Sequence, residues 1–252
     1  AHIFRGNAPL SDPDFILKGV THLLLSIPPN DEGDPAYLMH ARDLLNIDTL
    51  EWVGYLSTTG VYGDKDGALV DENGEISPTS KRGSRRARAE EQWLSLYRES
   101  GFPLHIFRLS GIYGPGRSAL DSVRVGVARR IDKPGHAFNR IHVEDIIQSL
   151  LASMRSPNPG TAYNLADDRP TPSHEVISYA CELLDIEPPP MIPFEEADMA
   201  PIARSFYKDN KRVCNQRLKE ELGVNLRHPD YVSGLEACLA AEQYACALLE
   251  EE

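Results

Sequence analysis

Three stretches of this sequence end an apolar run on hydroxyl-bearing or very small residues: Ser26-Ile27-Pro28, Ser57-Thr58-Thr59-Gly60 and Ser110-Gly111-Ile112. If each run is a strand of a parallel sheet, these residues stand at its carboxyl end, where open α/β sheets bind their ligands. Hydroxyls there can hydrogen-bond a ligand, and Ser and Thr are equally at home ending strands and opening turns. A second candidate is basic. Lys81, Arg82, Arg85, Arg86 and Arg88 place five of the 26 basic residues within eight positions. On a helix, Arg82, Arg85 and Arg86 share a face at spacings of three and four, and paired guanidiniums suit the bidentate geometry of phosphate or carboxylate. Two readings stay open: Arg82 and Arg86 hold an anion in a crevice, or the helix carries a solvated basic face paired with Glu90 and Glu91.

Other signals are weaker. Asp64-Lys65-Asp66-Gly67 opens like a calcium loop but lacks the remaining ligands, and reads as a turn. His142 with Glu144 and Asp145 spans a strand-to-helix junction that should scatter the three side chains, so a structural His and helix-start acids are expected and no metal. Cys181, Cys214, Cys238 and Cys246 show neither a Cys-x-x-Cys pair nor metal spacing, and read as reduced and structural. No Ser-His-Asp or Cys-His arrangement can be assembled.

The elements that must position these residues follow from periodicity. Gly19–Ile27, Leu50–Ser57 and Pro103–Leu109 are short apolar runs closed by Pro, Gly or Ser, the pattern of buried parallel strands. Helices are expected over 36–45, 84–99, 143–154, 173–184 with Ser173 as cap, 212–222 and 229–249, and a further short strand over 162–165. Pro188-Pro189-Pro190 makes a stiff connector. Strand and helix alternate, which predicts βαβ units in a doubly wound parallel α/β sheet.

With 252 residues, 41% hydrophobic and 25% charged, the chain can fill a sizeable core. The net charge of −12 lacks the basic stripe that nucleic acid requires. No apolar run approaches a membrane span, and the first residues lack a signal-peptide core, so no membrane partner and a cytoplasmic location are expected.

Four motifs, in order, carry a resemblance: Leu56-Ser57-Thr58-Thr59-Gly60-Val61-Tyr62-Gly63, Arg108-Leu109-Ser110-Gly111-Ile112-Tyr113-Gly114-Pro115-Gly116, Ile141-His142-Val143-Glu144-Asp145 and Ala162-Tyr163-Asn164-Leu165. Together they resemble the extended short-chain dehydrogenases/reductases, the NAD-dependent epimerase/dehydratase family, over nearly the whole chain. The resemblance implies a Rossmann-like nucleotide-binding domain over 1–170, with 116–140 contributing to the substrate side, and a small C-terminal substrate domain over 171–252. It implies NAD or NADP as cofactor and a small-molecule carbonyl or sugar-like substrate. Ser26, Ile27, Pro28, Ser57, Ser110, Gly111 and Ile112 fall at cofactor positions. Thr58 matches the catalytic Ser/Thr that hydrogen-bonds the substrate oxygen, with Thr59, Arg117 and Arg140 expected on the substrate side. Family members often dimerise through helices, so a homodimer is consistent with the resemblance.

Two departures mark an atypical member. The glycine-rich turn that cradles a pyrophosphate is not found before Gly19, and the sequence reads as beginning after the first strand, first helix and second strand of the fold. Where the family carries Tyr-x-x-x-Lys, this sequence has Arg82 and Arg86, and a guanidinium that stays protonated is no general acid/base. The expectation is an NAD(P)-dependent oxidoreductase or epimerase/dehydratase-like protein in which Arg82 and Arg86 supply positive charge. The alternative is a non-catalytic nucleotide- or metabolite-binding protein that kept the fold and lost the dyad.

Overall fold

The computed structural model describes the backbone of residues 2–250 and the side chains of residues 2–245. Cys246 and the Glu250-Glu251-Glu252 tail fall outside the described side chains. After a one-turn helix α1 (Pro13–Ile16), the chain runs β1 (His22–Leu25), α2 (Pro35–Leu45), β2 (Trp52–Thr58), a 3-10 turn (Thr59–Tyr62), β3 (Leu69–Val70) and α3 (Lys81–Ser100). It continues through β4 (Leu104–Leu109), β5 (Gly111–Tyr113), α4 (Ala119–Arg124), β6 (Arg130–Asp132), β7 (Arg140–His142), α5 (Val143–Arg155) and β8 (Ala162–Leu165). The last part contains α6 (Ser173–Leu183), β9 (Met191–Pro193), α7 (Pro201–Phe206), β10 (Arg212–Val213), α8 (Gln216–Leu222) and α9 (Tyr231–Glu250).

The main sheet is four parallel strands in the order β1-β2-β4-β8. It is a Rossmann-like α/β layer, because alternate residues of its central strands point into two separate cores. Val53, Tyr55, Leu104 and Ile106 pack against α2 and α3 with Trp93 and Leu96. Trp52, Phe107 and Leu109 pack on the opposite face with Ile146 and Leu150 of α5 and Leu218 of α8. Strands buried on both sides are mostly apolar, and polar residues within them, Ser57 in β2 and His105 and Arg108 in β4, are buried as well. A third core joins α4 to α6 and α9 around Tyr113, Leu120, Ala180 and Leu235.

Local chemistry sets the helix ends. Asp34 caps α2, its carboxylate accepting from the amides of Ala36 (2.9 Å) and Tyr37 (3.1 Å), with Pro35 in the first turn. Ser80 caps α3 through the Gly83 amide, and Gly101 ends it in the left-handed region at φ +72°. Ser173, expected as a cap, is instead the first residue of α6; Pro172 precedes it and no side chain caps that end. Arg212, expected to open a helix, lies in β10, which pairs with β3, and the helix starts at Gln216. The short strands β3, β5, β6, β7, β9 and β10 have no counterpart in the periodicity, because two or three residues cannot display a period.

Candidate functional site

At the carboxyl ends of β1, β2 and β4 the surface opens into a crevice of about 890 Å³. Its lining includes Ser26, Ser57, Thr58, Thr59, Ser110, Gly111 and Ile112 from the strand ends, Arg82 and Arg86 from α3, Arg117, and Asp209 and Lys211 from the segment after α7. Ten of the sequence-derived candidates therefore meet in one place. Ile27, Pro28 and Arg140 are not in the lining. Ile27 packs into the core beneath α2, and Pro28 stands exposed in the following loop. Arg140 lies in β7, where its guanidinium donates to the carbonyls of Phe138 (3.1 Å) and Thr171 (2.9 Å).

The three hydroxyls after Leu56 are held differently. Thr58 Oγ1 accepts the Gly60 amide at 3.1 Å, which starts the 3-10 turn and leaves its own proton available to a ligand. Thr59 is buried, and its hydroxyl reaches back to the Leu109 carbonyl at 3.5 Å. Ser57 donates to the Glu90 carboxylate. Gly63 ends the turn at φ +67°, where a Cβ would meet the Ser77 carbonyl oxygen at 2.0 Å, so only glycine fits. Ser110 is 8% exposed, and its Oγ has no hydrogen-bond partner. A buried hydroxyl in a crevice wall without a partner is a vacant place for a ligand's polar atom.

Behind the crevice wall lies a polar network that sequence reading missed. Glu90 is 3% exposed and pairs with buried Arg108 at 2.8 Å. Arg108 also donates to the Tyr62 hydroxyl at 2.8 Å and the Glu72 carbonyl at 3.1 Å. The Tyr62 hydroxyl donates to Asn164 at 2.7 Å, and the Asn164 amide to the Glu72 carboxylate at 2.8 Å. Burial pushes the Tyr62 phenol up to about 12, so it remains a donor here. Glu90 therefore does not pair with the basic face of α3.

That basic face divides in two. Lys81 and Arg85 pair with Asp31 at 3.0 and 2.7 Å, and Arg88 donates to the Asp31 carbonyl. Arg82 and Arg86 turn to the crevice. The Arg82 guanidinium lies 4.8 Å from the ring centre of Phe206 and has no carboxylate partner among the described residues. Arg86 donates to the Leu56 carbonyl (2.5 Å) and the Tyr55 hydroxyl (3.2 Å) at the end of β2. Cations in the first turns of a helix oppose its macrodipole, and Asp31 offsets that cost for Lys81 and Arg85 outside the crevice.

Away from the crevice, His142, Glu144 and His228 each bring one ligand atom within 4.8 Å of the others. His228 arrives 84 residues after Glu144 in sequence, and the expected scatter of these side chains is not what the structure has. His142 Nδ1 accepts the Glu144 amide at 3.3 Å, and His228 Nε2 lies 3.1 Å from the Glu144 carboxylate, which also faces Arg227 at 3.6 Å. Hydrogen bonds and ion pairs account for this cluster as the anchor of the segment before α9. Cys181 and Cys238 are buried free thiols and Cys214 a half-buried one.

No protein-family model matches the chain. A solved structure of a functionally unknown conserved protein from Silicibacter pomeroyi DSS is 52% identical, covering 89% of this chain and 79% of that one, with a TM-score of 0.86. Protein YeeZ of Escherichia coli (strain K12) is 27% identical over 225 residues, 87% of this chain and 76% of that protein. A dTDP-glucose 4,6-dehydratase from Bacillus anthracis, solved in complex with NAD, shares the fold at 17% identity and a TM-score of 0.69, over 91% of this chain and 76% of that one. Fold and crevice thus define a Rossmann-like protein with its site at the strand ends. The chain is a relative of the functionally unknown Silicibacter protein, and its other structural neighbours are NAD-dependent epimerase/dehydratase family members, whose fold it shares.

The crevice fits part of a dinucleotide. The Ser110 hydroxyl, without a partner and near Ile112 in the lining, is open to the riboside end of such a ligand. The N-terminus of α2, which follows β1, is already filled by the Asp34 carboxylate and offers no amides to a pyrophosphate. The glycines after β4, Gly111, Gly114 and Gly116, are no substitute for the pyrophosphate turn, because Gly111 lies in β5 and Pro115 offers no amide.

Proposed function

We propose that this protein binds NAD or NADP and acts as an NAD(P)-dependent oxidoreductase or epimerase/dehydratase-like enzyme on a small, anionic carbonyl or sugar-like substrate. One observation carries the reading: hydroxyls from three parallel strand ends share a crevice with Arg82, Arg86 and Arg117, although the chain as a whole is acidic. When bound, the dinucleotide supplies or accepts hydride at a carbon. The chain's own residues do the rest. Thr58 Oγ1, oriented by the Gly60 amide, donates to the substrate oxygen. Ser110 Oγ and Ile112 bound the riboside, and Arg82 and Arg117 hold the substrate's negative charge. Arg86, fixed on the Leu56 carbonyl, places a permanent positive charge beside Thr58.

A second reading, binding without turnover, is favoured by Arg82 and Arg86 standing where the family carries its Tyr and Lys. Calorimetric titration with NADH and NADPH, followed by a screen of anionic aldehydes and ketones, separates the two. Saturable binding with turnover that Thr58→Ala abolishes is the expected result. Binding without turnover of any carbonyl compound selects the second reading, and no binding of either dinucleotide defeats both.

A further inference from the structure

We propose that Lys211 is the proton-exchanging group of the crevice, the acid/base that the α3 arginines cannot be. The proposal rests on the functional reading above. Of the groups that line the crevice, arginines hold their protons at any accessible pH, and Lys81 is exposed and paired with Asp31. The Ser57 hydroxyl is committed to Glu90, and that of Thr59 to the Leu109 carbonyl. Lys211 differs from all of these. It is 7% exposed, yet it forms part of the crevice lining.

Its position is fixed by backbone on both sides. Nζ donates to the Gly63 carbonyl at 2.7 Å, directly after the turn that begins at Thr58. The segment carrying it is stitched across the same turn region: the Lys65 and Gly67 amides donate to the Asn210 carbonyl, the Asn210 amide donates to Asp64 at 2.7 Å, and β10 pairs with β3. An ammonium has three N–H bonds. Gly63 takes one, and Asp209 stands at 3.8 Å, a long contact that attracts without closing a hydrogen bond. The Asp209 carboxylate is itself bound by the Thr79 hydroxyl. An N–H of a residue in the crevice lining therefore remains without an acceptor among the described residues. Burial lowers the affinity of Lys211 for its proton, with Lys65 adding to the effect and Asp209 and Asp64 opposing it; His136 is the other titratable neighbour, bound to the Asp209 carbonyl at 3.1 Å. An amine whose charged form is penalised gives up a proton more readily than one in water, as a general acid at neutral pH requires.

With a reduced nicotinamide dinucleotide bound to supply hydride to the substrate's carbonyl carbon, the C=O π pair would move onto oxygen. The Lys211 N–H bond breaks, and its proton passes to that oxygen while the bonding pair stays on nitrogen. The alcohol, the oxidised dinucleotide and a neutral amine result, and the amine regains its proton from solvent. The reverse sequence serves oxidation.

Lysine labelling of the full chain with pyridoxal 5′-phosphate, an anionic aldehyde that condenses only with unprotonated amines, tests this directly. Labelling is run from pH 6 to 10, fixed with borohydride and mapped by peptide mass spectrometry, with exposed Lys18 and Lys208 as internal references. Lys211 should be labelled with a midpoint below that of those references, and Arg82→Gln should slow its labelling. A Lys211 that stays unlabelled, or titrates with Lys18 and Lys208, overturns the proposal whatever the dinucleotides do. Early labelling of Lys211 in a chain that binds neither NADH nor NADPH defeats the functional reading and leaves the reactive amine standing. Where turnover is found, Lys211→Arg should keep NADPH affinity and lose about 100-fold or more in rate; an unchanged rate assigns Lys211 to structure alone.

Discussion

Two polar regions lie back to back at the carboxyl end of this sheet, and they use the same residue types to opposite ends. Behind β2 and β4, Glu90, Arg108, Tyr62, Asn164 and Glu72 form a sealed network in which each charge meets a partner within hydrogen-bond distance. In front, Arg82 and Arg117 meet no carboxylate among the described residues, Ser110 Oγ has no partner, and Lys211 is only loosely held by Asp209. Satisfied polar groups specify one packing arrangement, whereas unsatisfied ones await something from outside. Ser57 and Thr58 are neighbours on the dividing line: one hydroxyl turns inward to Glu90 and the other stays free for a ligand.

The comparison breaks most visibly on the sealed side. Arg108→Met leaves Glu90 buried without its partner and should cost about 3–5 kcal/mol in urea denaturation. The double variant Glu90→Leu with Arg108→Met should recover much of that loss, because a buried pair replaced by apolar volume is often nearly neutral. A single variant within about 1 kcal/mol of wild type would show that the network is open to water.

Asp167 gives the next largest effect. It is 2% exposed just after β8, one of its carboxylate oxygens has no hydrogen-bond partner, and burial raises its pKa to about 7, with Arg140 opposing. A folded-state pKa above the unfolded value means that its favourable contribution is full below pH 3.8 and is lost as pH rises to about 7. Asp167→Asn should therefore be the more stable protein at pH 8, by roughly 1–3 kcal/mol. The difference should shrink as pH falls toward 4, as followed by denaturation across pH.

On the open side, stability and binding should separate. Arg82→Gln should leave the unfolding midpoint within about 0.5 kcal/mol of wild type, as surface substitutions do. The same change should weaken NADPH or anionic substrate about tenfold in calorimetry, the worth of one charge-assisted contact. Equal losses in folding and binding would erase the distinction between the regions. The smallest effect belongs to Arg85→Ala. It removes an exposed pairing with Asp31, and should move neither the unfolding midpoint nor ligand affinity measurably.

The sheet was legible because its central strands are mostly apolar on both faces, with His105 and Arg108 the exceptions in β4. Trp52–Thr58 and Leu104–Leu109 have no alternation to misread, and each ends on a residue that turns. The strand-end hydroxyls were legible for the same reason, since the end of the run fixes where the ligand side begins. Glu90 was not. Four residues after Arg86 on one helix, it reads as a surface partner, and its burial is decided by Arg108 on a neighbouring strand. Arg140 looked free to meet a substrate and is committed to carbonyls that the fold brings to it.

By itself, then, the sequence determined the parallel α/β layer, the strand ends that line the crevice and the cluster of basic residues at the start of α3, since all of these are local in pattern or spacing. Only the tertiary structure decided which cations remain without partners. Asp31 claims Arg85 across 54 residues, Glu90 claims Arg108, and Lys211 reaches the Thr58 turn across 148 residues to the Gly63 carbonyl. The physical reason is that a charge's role depends on the partners and water around it, and those are set by chain segments far apart in sequence.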